Sequence, residues 1–320
     1  MLNTRIITSL GHIKLNRIQP IHLTSFYNNL REDGIRNDGK AGGLSDRTIL
    51  HHHRLISSIL TCAVQWQFIL NNPAERVKSP KVEKKEARNF DEDQVEYIFQ
   101  LLEDEPIKYK TMIYLAIYGG MRLGELAGLE WSDLDMENNI LRIKQSSQYL
   151  PGKGVFAKTT KNESSKRILA LTSMPISLIR EYKVWQNGEK VKLVDLWDGE
   201  CTRIFTARDG KPMFPETPSK WFSKFIKNHN DKIMKDDTIK KEDKDKYLLQ
   251  VVNFHGIRHT NATLLISQGV DVTTVSTRLG HARTSTTTDI YSHSLRKTDM
   301  VAAEKLEDLF NKSTKVKKQG

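Results

Sequence analysis

The sequence predicts a mainly α-helical chain with a small β component, folded as a helical N-terminal domain followed by a larger mixed α/β domain. Three observations carry this expectation. Apolar residues recur at helical spacing behind prolines and capping residues along most of the chain. Only four short stretches, Ile140 to Lys144, Val155 to Thr159, Arg167 to Leu171 and Arg203 to Thr206, have strand character. Residues 76–88, RVKSPKVEKKEAR, hold six basic and two acidic residues with little apolar content, which is a linker composition.

The chain has 320 residues and a formal charge of +11. That length supports two domains with a sizeable core. The charge favours a polyanionic partner, either nucleic acid or an anionic surface. No apolar run approaches a membrane span, and the opening MLNTRIITSLGHIKL has no signal-peptide pattern. The two cysteines, Cys62 and Cys201, lie far apart in apolar contexts, so a reduced, cytoplasmic protein is expected.

In the first domain, residues 1–75, Gln19-Pro20-Ile21 opens a helix with Ile21, Phe26, Tyr27 and Leu30 on its apolar side. REDGIRNDGKAGG is a turn-rich loop. Leu44-Ser45-Asp46 caps a second helix carrying Ile49, Leu50, Leu55, Ile56, Ile59, Leu60, Ala63 and Val64, which ends before Asn71-Asn72-Pro73. The His51-His52-His53 triplet falls inside it and reads as helix surface rather than a metal site.

The second domain, residues 89–311, opens with Phe90-Asp91-Glu92-Asp93-Gln94, a helix start with acids in the first turn. The apolar run Tyr109 to Tyr118 is expected to be a buried helix stopped by Gly119-Gly120. After the first three strand pieces come a helix at Pro175 to Trp185, a short strand at Arg203 to Thr206 and a helix at Pro218 to His229. Residues 230–247 are a charged run, read as an exposed loop or frayed helix. From Asn253, apolar positions Ile257, Ala262, Leu264, Leu265 and Ile266 lead to Gly269. Val272, Val275 and Leu279 form another helical face ending at Gly280-His281. An amphipathic helix is expected over Asp299 to Asn311, and residues 312–320 read as a disordered tail.

The chemistry-bearing residues concentrate in Asn253 to Ser294. There His-x-x-Arg-His at His255, Arg258 and His259 is followed by Leu-Gly-His ending at His281, and then by Thr-x-x-x-Tyr-x-His around Tyr291. In this order and spacing the set resembles the phage integrase family of tyrosine recombinases. Gly120-Met121-Arg122-Leu123-Gly124-Glu125 resembles that family's Gly-x-Arg-x-Gly-Glu motif. Lys161 to Arg167 resembles its Lys-x-x-Ser-Ser-x-Arg hairpin, and the stretches Leu10 to Leu23 and Leu44 to Ile49 resemble its core-binding domain. The resemblance spans about residues 10–310 and inclines to the lambda-type integrase subgroup. The chain begins too late for the further helix and arm-binding domain that family members often carry before this point.

The resemblance implies a helical core-binding domain and a catalytic domain, mainly α with a small antiparallel sheet, closing as a clamp on double-stranded DNA. The triplet His51-His52-His53 would then lie near DNA. The catalytic set carried over is Tyr291, Arg122, Lys161, His255, Arg258 and His281, with Glu125 supporting Arg122; Lys158 is the alternative to Lys161. Tyr291 would attack the scissile phosphorus, leaving a 3′-phosphotyrosyl bond and a free 5′-hydroxyl. The forks of Arg122 and Arg258 would stabilise the transition-state charge. Lys161 would protonate the departing 5′-oxygen, His255 would take the tyrosine proton, and His281 would hydrogen-bond a phosphate oxygen. No cofactor and no metal is expected: His255 and His259 are four apart, but Gly256 stands where a His-Glu-x-x-His protease needs its base. The implied partners are attachment core sites in DNA, further copies of the chain forming a tetramer on them, and a directionality factor or host DNA-bending protein. The C-terminal helix would dock in cis or on a neighbouring protomer. Type IB topoisomerase-like relaxation and a non-catalytic DNA-binding protein are the alternative functions.

Overall fold

The computed structural model of the chain describes residues 1–82, 88–159, 166–285 and 287–288. The expected helix over residues 299–311 and two of the implied catalytic residues, Lys161 and Tyr291, lie outside the described residues. The chain forms two compact units, Met1–Lys85 and Glu86–Gly320.

The first unit is helical. A π-helical turn at Leu2–Ile6 runs into α1 (Ile7–Leu10). Helix α2 (Pro20–Asn29) starts on a proline, and the Gln19 N–H donates to His22 Nδ1 at 3.1 Å. Helix α3 (Asp46–Gln65) is capped by Ser45, whose Oγ accepts from the Thr48 N–H. Leu10, Leu23, Phe26, Leu30, Ile49, Ile56 and Leu60 form the core between them. Asn72 ties the 3₁₀ turn Pro73–Arg76 to α3: its Nδ2 donates to Ser57 O and Thr61 Oγ1, while its Oδ1 accepts from the Ala74 N–H.

The histidine triplet corrects the surface reading. His51 is exposed, but His52 is fully buried on the core side of α3, edge-on to Phe26, with Nδ1 hydrogen-bonded to Thr48 O at 2.8 Å. His53 is half-buried and meets the Tyr27 hydroxyl at 3.1 Å. His52 sits three after Ile49 and four before Ile56, so it occupies the helix's own apolar stripe.

In the second unit, Asp91 caps α4 (Glu92–Leu101) through a capping box with Gln94. Helix α5 (Ile107–Gly119) is buried through most of its length and packs against α7 (Ser173–Leu193), α8 (Thr217–Lys235) and α10 (Phe254–Ser267). The short α6 (Leu123–Ala127) follows α5 directly. A short α9 (Lys244–Tyr247) lies in the charged run, and α11 (Val272–Leu279) closes the described helices.

Among the described residues the β structure is two antiparallel sheets rather than one. Strands β1 (Leu134–Asp135), β2 (Ile140–Ile143) and β5 (Arg167–Ala170) form the order β1-β2-β5. Strand β4 (Gly154–Thr159) does not pair with β5; it forms a separate hairpin with β3 (Gln145–Leu150). The sequence QSSQYL lacks apolar alternation, so strand β3 and its pairing with β4 have no signal in the sequence. Arg203 to Thr206 makes isolated bridges, Glu130 with Arg203 and Thr206 with Pro212, instead of a strand. Helix α7 runs eight residues beyond Trp185, to Leu193.

Candidate active site

The site is assembled where two helices end. Helix α5 stops on Gly120 at φ +56°. A Cβ there would stand 2.6 Å from both Asn261 Oδ1 and Leu279 Cδ2, so glycine answers both the backbone and the packing. The chain then turns into α6 with Arg122 at the N-cap position. Glu125, one turn on and buried, accepts from the Arg122 N–H at 2.9 Å through Oε2 and from Arg122 Nη1 at 2.8 Å through Oε1. One carboxylate thus caps α6 and holds the guanidinium. The Arg122 side chain remains 39% exposed, so it can reach a ligand.

Arg258 is held differently. It lies on α10, whose N-terminus is capped by Asn253, and it is 1% exposed. Nη1 donates to Gly120 O at 2.8 Å and Nη2 to Leu279 O at 2.6 Å, so one guanidinium spans the ends of α5 and α11.

Helix α11 begins on the Asp271 cap and stops at Gly280, φ +66°. Its terminal carbonyls are where a helix is both unsatisfied and negative. Three successive ones are bound by three arginines: Arg278 O accepts from Arg167 Nε at 2.7 Å, Leu279 O from Arg258 Nη2, and Gly280 O from Arg122 Nη2 at 2.8 Å. Arg167 also donates to Glu125 Oε2 at 2.8 Å, and Arg278 reaches back to Tyr118 O on α5. The cluster holds four guanidinium groups, two of them on the Glu125 carboxylate and two on backbone carbonyls, an excess of positive charge suited to an anion.

His281 follows Gly280 directly, and its Nδ1 meets the hydroxyl of buried Thr287 at 2.8 Å. That contact orients the ring and leaves Nε2 for a ligand. Desolvation first, then the charges of Arg258 and Arg122, push its pKa down to about 4. His255, at the start of α10, stands edge-on to His259 with ring centroids 4.7 Å apart. Desolvation and then the charges of Arg258 and Arg122 hold its pKa below the ordinary imidazole value, although its surface reaches solvent. Both rings are therefore neutral near pH 7; His255 can accept a proton, and His281 can donate or accept a hydrogen bond.

Of the residues implied by the sequence, Arg122, Glu125, His255, Arg258 and His281 thus fall in one cluster. Lys158 is exposed on β4, opposite Ser146. Arg167, Arg278, Asn261 and Thr287 took no part in the sequence-based site. The arginine ending Lys-x-x-Ser-Ser-x-Arg was a signal for the first, but its partners are distant in sequence. Among the described residues no group of three or more His, Cys, Asp or Glu side chains could hold a metal ion.

A model of the phage integrase family matches residues 88–298. A tyrosine recombinase XerC-like protein of Caldanaerobacter subterraneus subsp. tengcongensis is 28% identical over 315 residues, covering 93% of this chain and 73% of that protein. The ICEBs1 integrase of Bacillus subtilis is 28% identical over 269 residues, covering 83% of this chain and 67% of that protein. Among solved structures, the Tn1549 transposon integrase in complex with transposon right end DNA is similar with a TM-score of 0.72 at 20% identity, covering 95% of this chain and 90% of that one. A lambda integrase dimer bound to a core site is similar with a TM-score of 0.57 at 17% identity, covering 90% and 85%. At such identities these two likenesses speak for the fold. With the family model spanning most of the chain and the arginine–histidine cluster built from its motifs, this chain belongs to the phage integrase family, the tyrosine recombinases that cleave and rejoin DNA.

Proposed function

We propose that this chain is the site-specific recombinase of a mobile element, integrating or excising it by cleaving and rejoining DNA at attachment core sites. Residues 1–75 act as the core-binding domain, residues 76–88 as a basic linker and residues 89–311 as the catalytic domain. The observation that carries the reading is the grip of Arg122 and Arg258 on the adjacent carbonyls of Gly280 and Leu279, immediately before His281. It supports a fixed pair of guanidinium groups beside a neutral imidazole, placed to stabilise the charge that develops on a phosphate under attack.

The Tyr291 oxygen attacks the scissile phosphorus and His255 takes its proton. The bond to the 5′-oxygen breaks, and Lys161 supplies the proton that makes the leaving group a 5′-hydroxyl. Arg122 and Arg258 bear the charge on the non-bridging oxygens, and His281 hydrogen-bonds one of them. A 5′-hydroxyl from another strand then reverses the step on a new partner. Joining two sites in this way calls for four protomers, and the reading extends to a tetramer on paired core sites. A directionality factor or a host DNA-bending protein is the accessory partner.

The test is a nicked duplex bearing the element's core site, incubated with protein and run on a denaturing gel. A covalent DNA–protein adduct that disappears in Tyr291→Phe is the expected result. An adduct in both would mean that another residue attacks; no adduct in either, with DNA still bound, would contradict the reading.

A further inference from the structure

Strand β5 turns Arg167 to the interior on the same face as Leu169, at 9% and 0% exposed, and leaves Ile168 66% exposed. An arginine on the buried face of a strand needs polar partners there. Arg167 Nη2 donates to Glu125 Oε2, and its Nε donates to Arg278 O at the end of α11. The side chain therefore joins the carboxylate that holds Arg122 to the helix end that carries His281.

We propose that Arg167 is a positioning residue for strand cleavage, acting through Glu125 and the end of α11 to fix the Arg122 guanidinium and the His281 ring without touching DNA. This rests on the functional reading given above. Glu125 is buried beside two arginines, Arg122 on Oε1 and Arg167 on Oε2. Burial raises the pKa of its carboxyl, but the hydrogen bond and charge of Arg167, ahead of those of Arg122, outweigh it and keep the carboxylate ionised. With Arg167 gone, the buried carboxylate has one cation left. It then protonates or closes further on Arg122, and in either case the guanidinium leaves the position that faces the phosphate.

The experiment is single-turnover cleavage of the nicked core-site duplex, with DNA affinity and melting temperature measured on the same preparations. Arg167→Gln is expected to lower the cleavage rate about 100-fold, the size of effect expected when a reacting group is misplaced by an ångström. DNA affinity should change less than about threefold, because the Arg167 side chain is buried against Glu125 and Arg278 O. Arg167→Lys should recover part of the rate, since an ammonium replaces the charge but not the fork. In an Arg122→Gln background, Arg167→Gln should cost less than about tenfold further, because one of the two groups it positions is already missing. A wild-type rate in Arg167→Gln would overturn the inference. So would full additivity with Arg122→Gln. If Arg167→Gln does not fold, a folded Arg167→Lys cleaving at the wild-type rate would overturn it as well. Absence of an adduct with the wild type itself would instead overturn the functional reading, and this inference with it.

Discussion

Helices α3 and α11 end in the same local motif, one in each unit. In α3 the Phe68 N–H reaches back to Ala63 O and the Gln67 N–H to Val64 O, with Gln67 left-handed at φ +59°. In α11 the His281 N–H reaches back to Ser276 O and the Gly280 N–H to Thr277 O, with Gly280 left-handed at φ +66°. Both are Schellman closures. They part company at the next residues. Beyond α3 the chain runs out to solvent, with Phe68 65% and Leu70 97% exposed. At α11 the carbonyls of Arg278, Leu279 and Gly280 are bound by arginines from β5, α10 and the start of α6. The local motif ends a helix; the remote arginines turn that end into a site.

Removing the most deeply placed of those arginines should break the contrast most. Arg258→Ala strips donors from both Gly120 O and Leu279 O. Cleavage of the nicked duplex should fall by about 10³-fold, and stability in urea titrations by about 3 kcal/mol. Arg122→Ala should separate the two effects. Its guanidinium is 39% exposed and Glu125 keeps Arg167, so cleavage falls by about 10²–10³-fold while stability falls by only about 1 kcal/mol.

The left-handed positions sharpen the comparison from the other side. Gly280→Ala should lose about 1–2 kcal/mol from backbone strain, and its cleavage rate should fall because the three bound carbonyls shift with it. Gln67→Gly should gain up to about 1 kcal/mol, with no change in cleavage rate. Chemical denaturation paired with single-turnover assays reads both.

Smallest is a pH effect. In the folded chain the imidazoles of His281 and His259 are pushed down to about 4, by desolvation first and then by neighbouring cations and histidines. In the unfolded chain they titrate near 6.5. As pH falls through 6.5 the unfolded chain takes up protons that the folded chain refuses. Stability is therefore lost between 6.5 and 4, and this loss levels off below 4. A melting-temperature series should fall less steeply across that window in His281→Asn than in the wild type.

Much of this arrangement could be read from the chain before its structure. Ser45 and Asp91 cap helices through contacts three residues away, and the glycines at 120 and 280 sit where helices must stop. Arg122, His255, Arg258 and His281 stood out because their motifs are compact. What stayed hidden depends on distant partners. A polar strand such as Gln145–Leu150 shows no alternation, so neither it nor its pairing with β4 could be anticipated. His52 looked like surface because a histidine carries no hydrophobic signal, yet it fills a core position beside Phe26. The role of Arg167 has no local signal, since Glu125 and Arg278 O are 42 and 111 residues away in sequence.

The central claim is that the guanidinium groups at the end of α11 hold the charge of a cleaving phosphate. The most direct measurement compares wild type with Arg122→Ala on two nicked duplexes, one with the natural scissile phosphodiester and one with an uncharged methylphosphonate in its place. Arg122→Ala should lose about 100-fold or more on the phosphodiester and less than about tenfold on the methylphosphonate, where the charge to be stabilised is gone. Equal losses on the two substrates would contradict it.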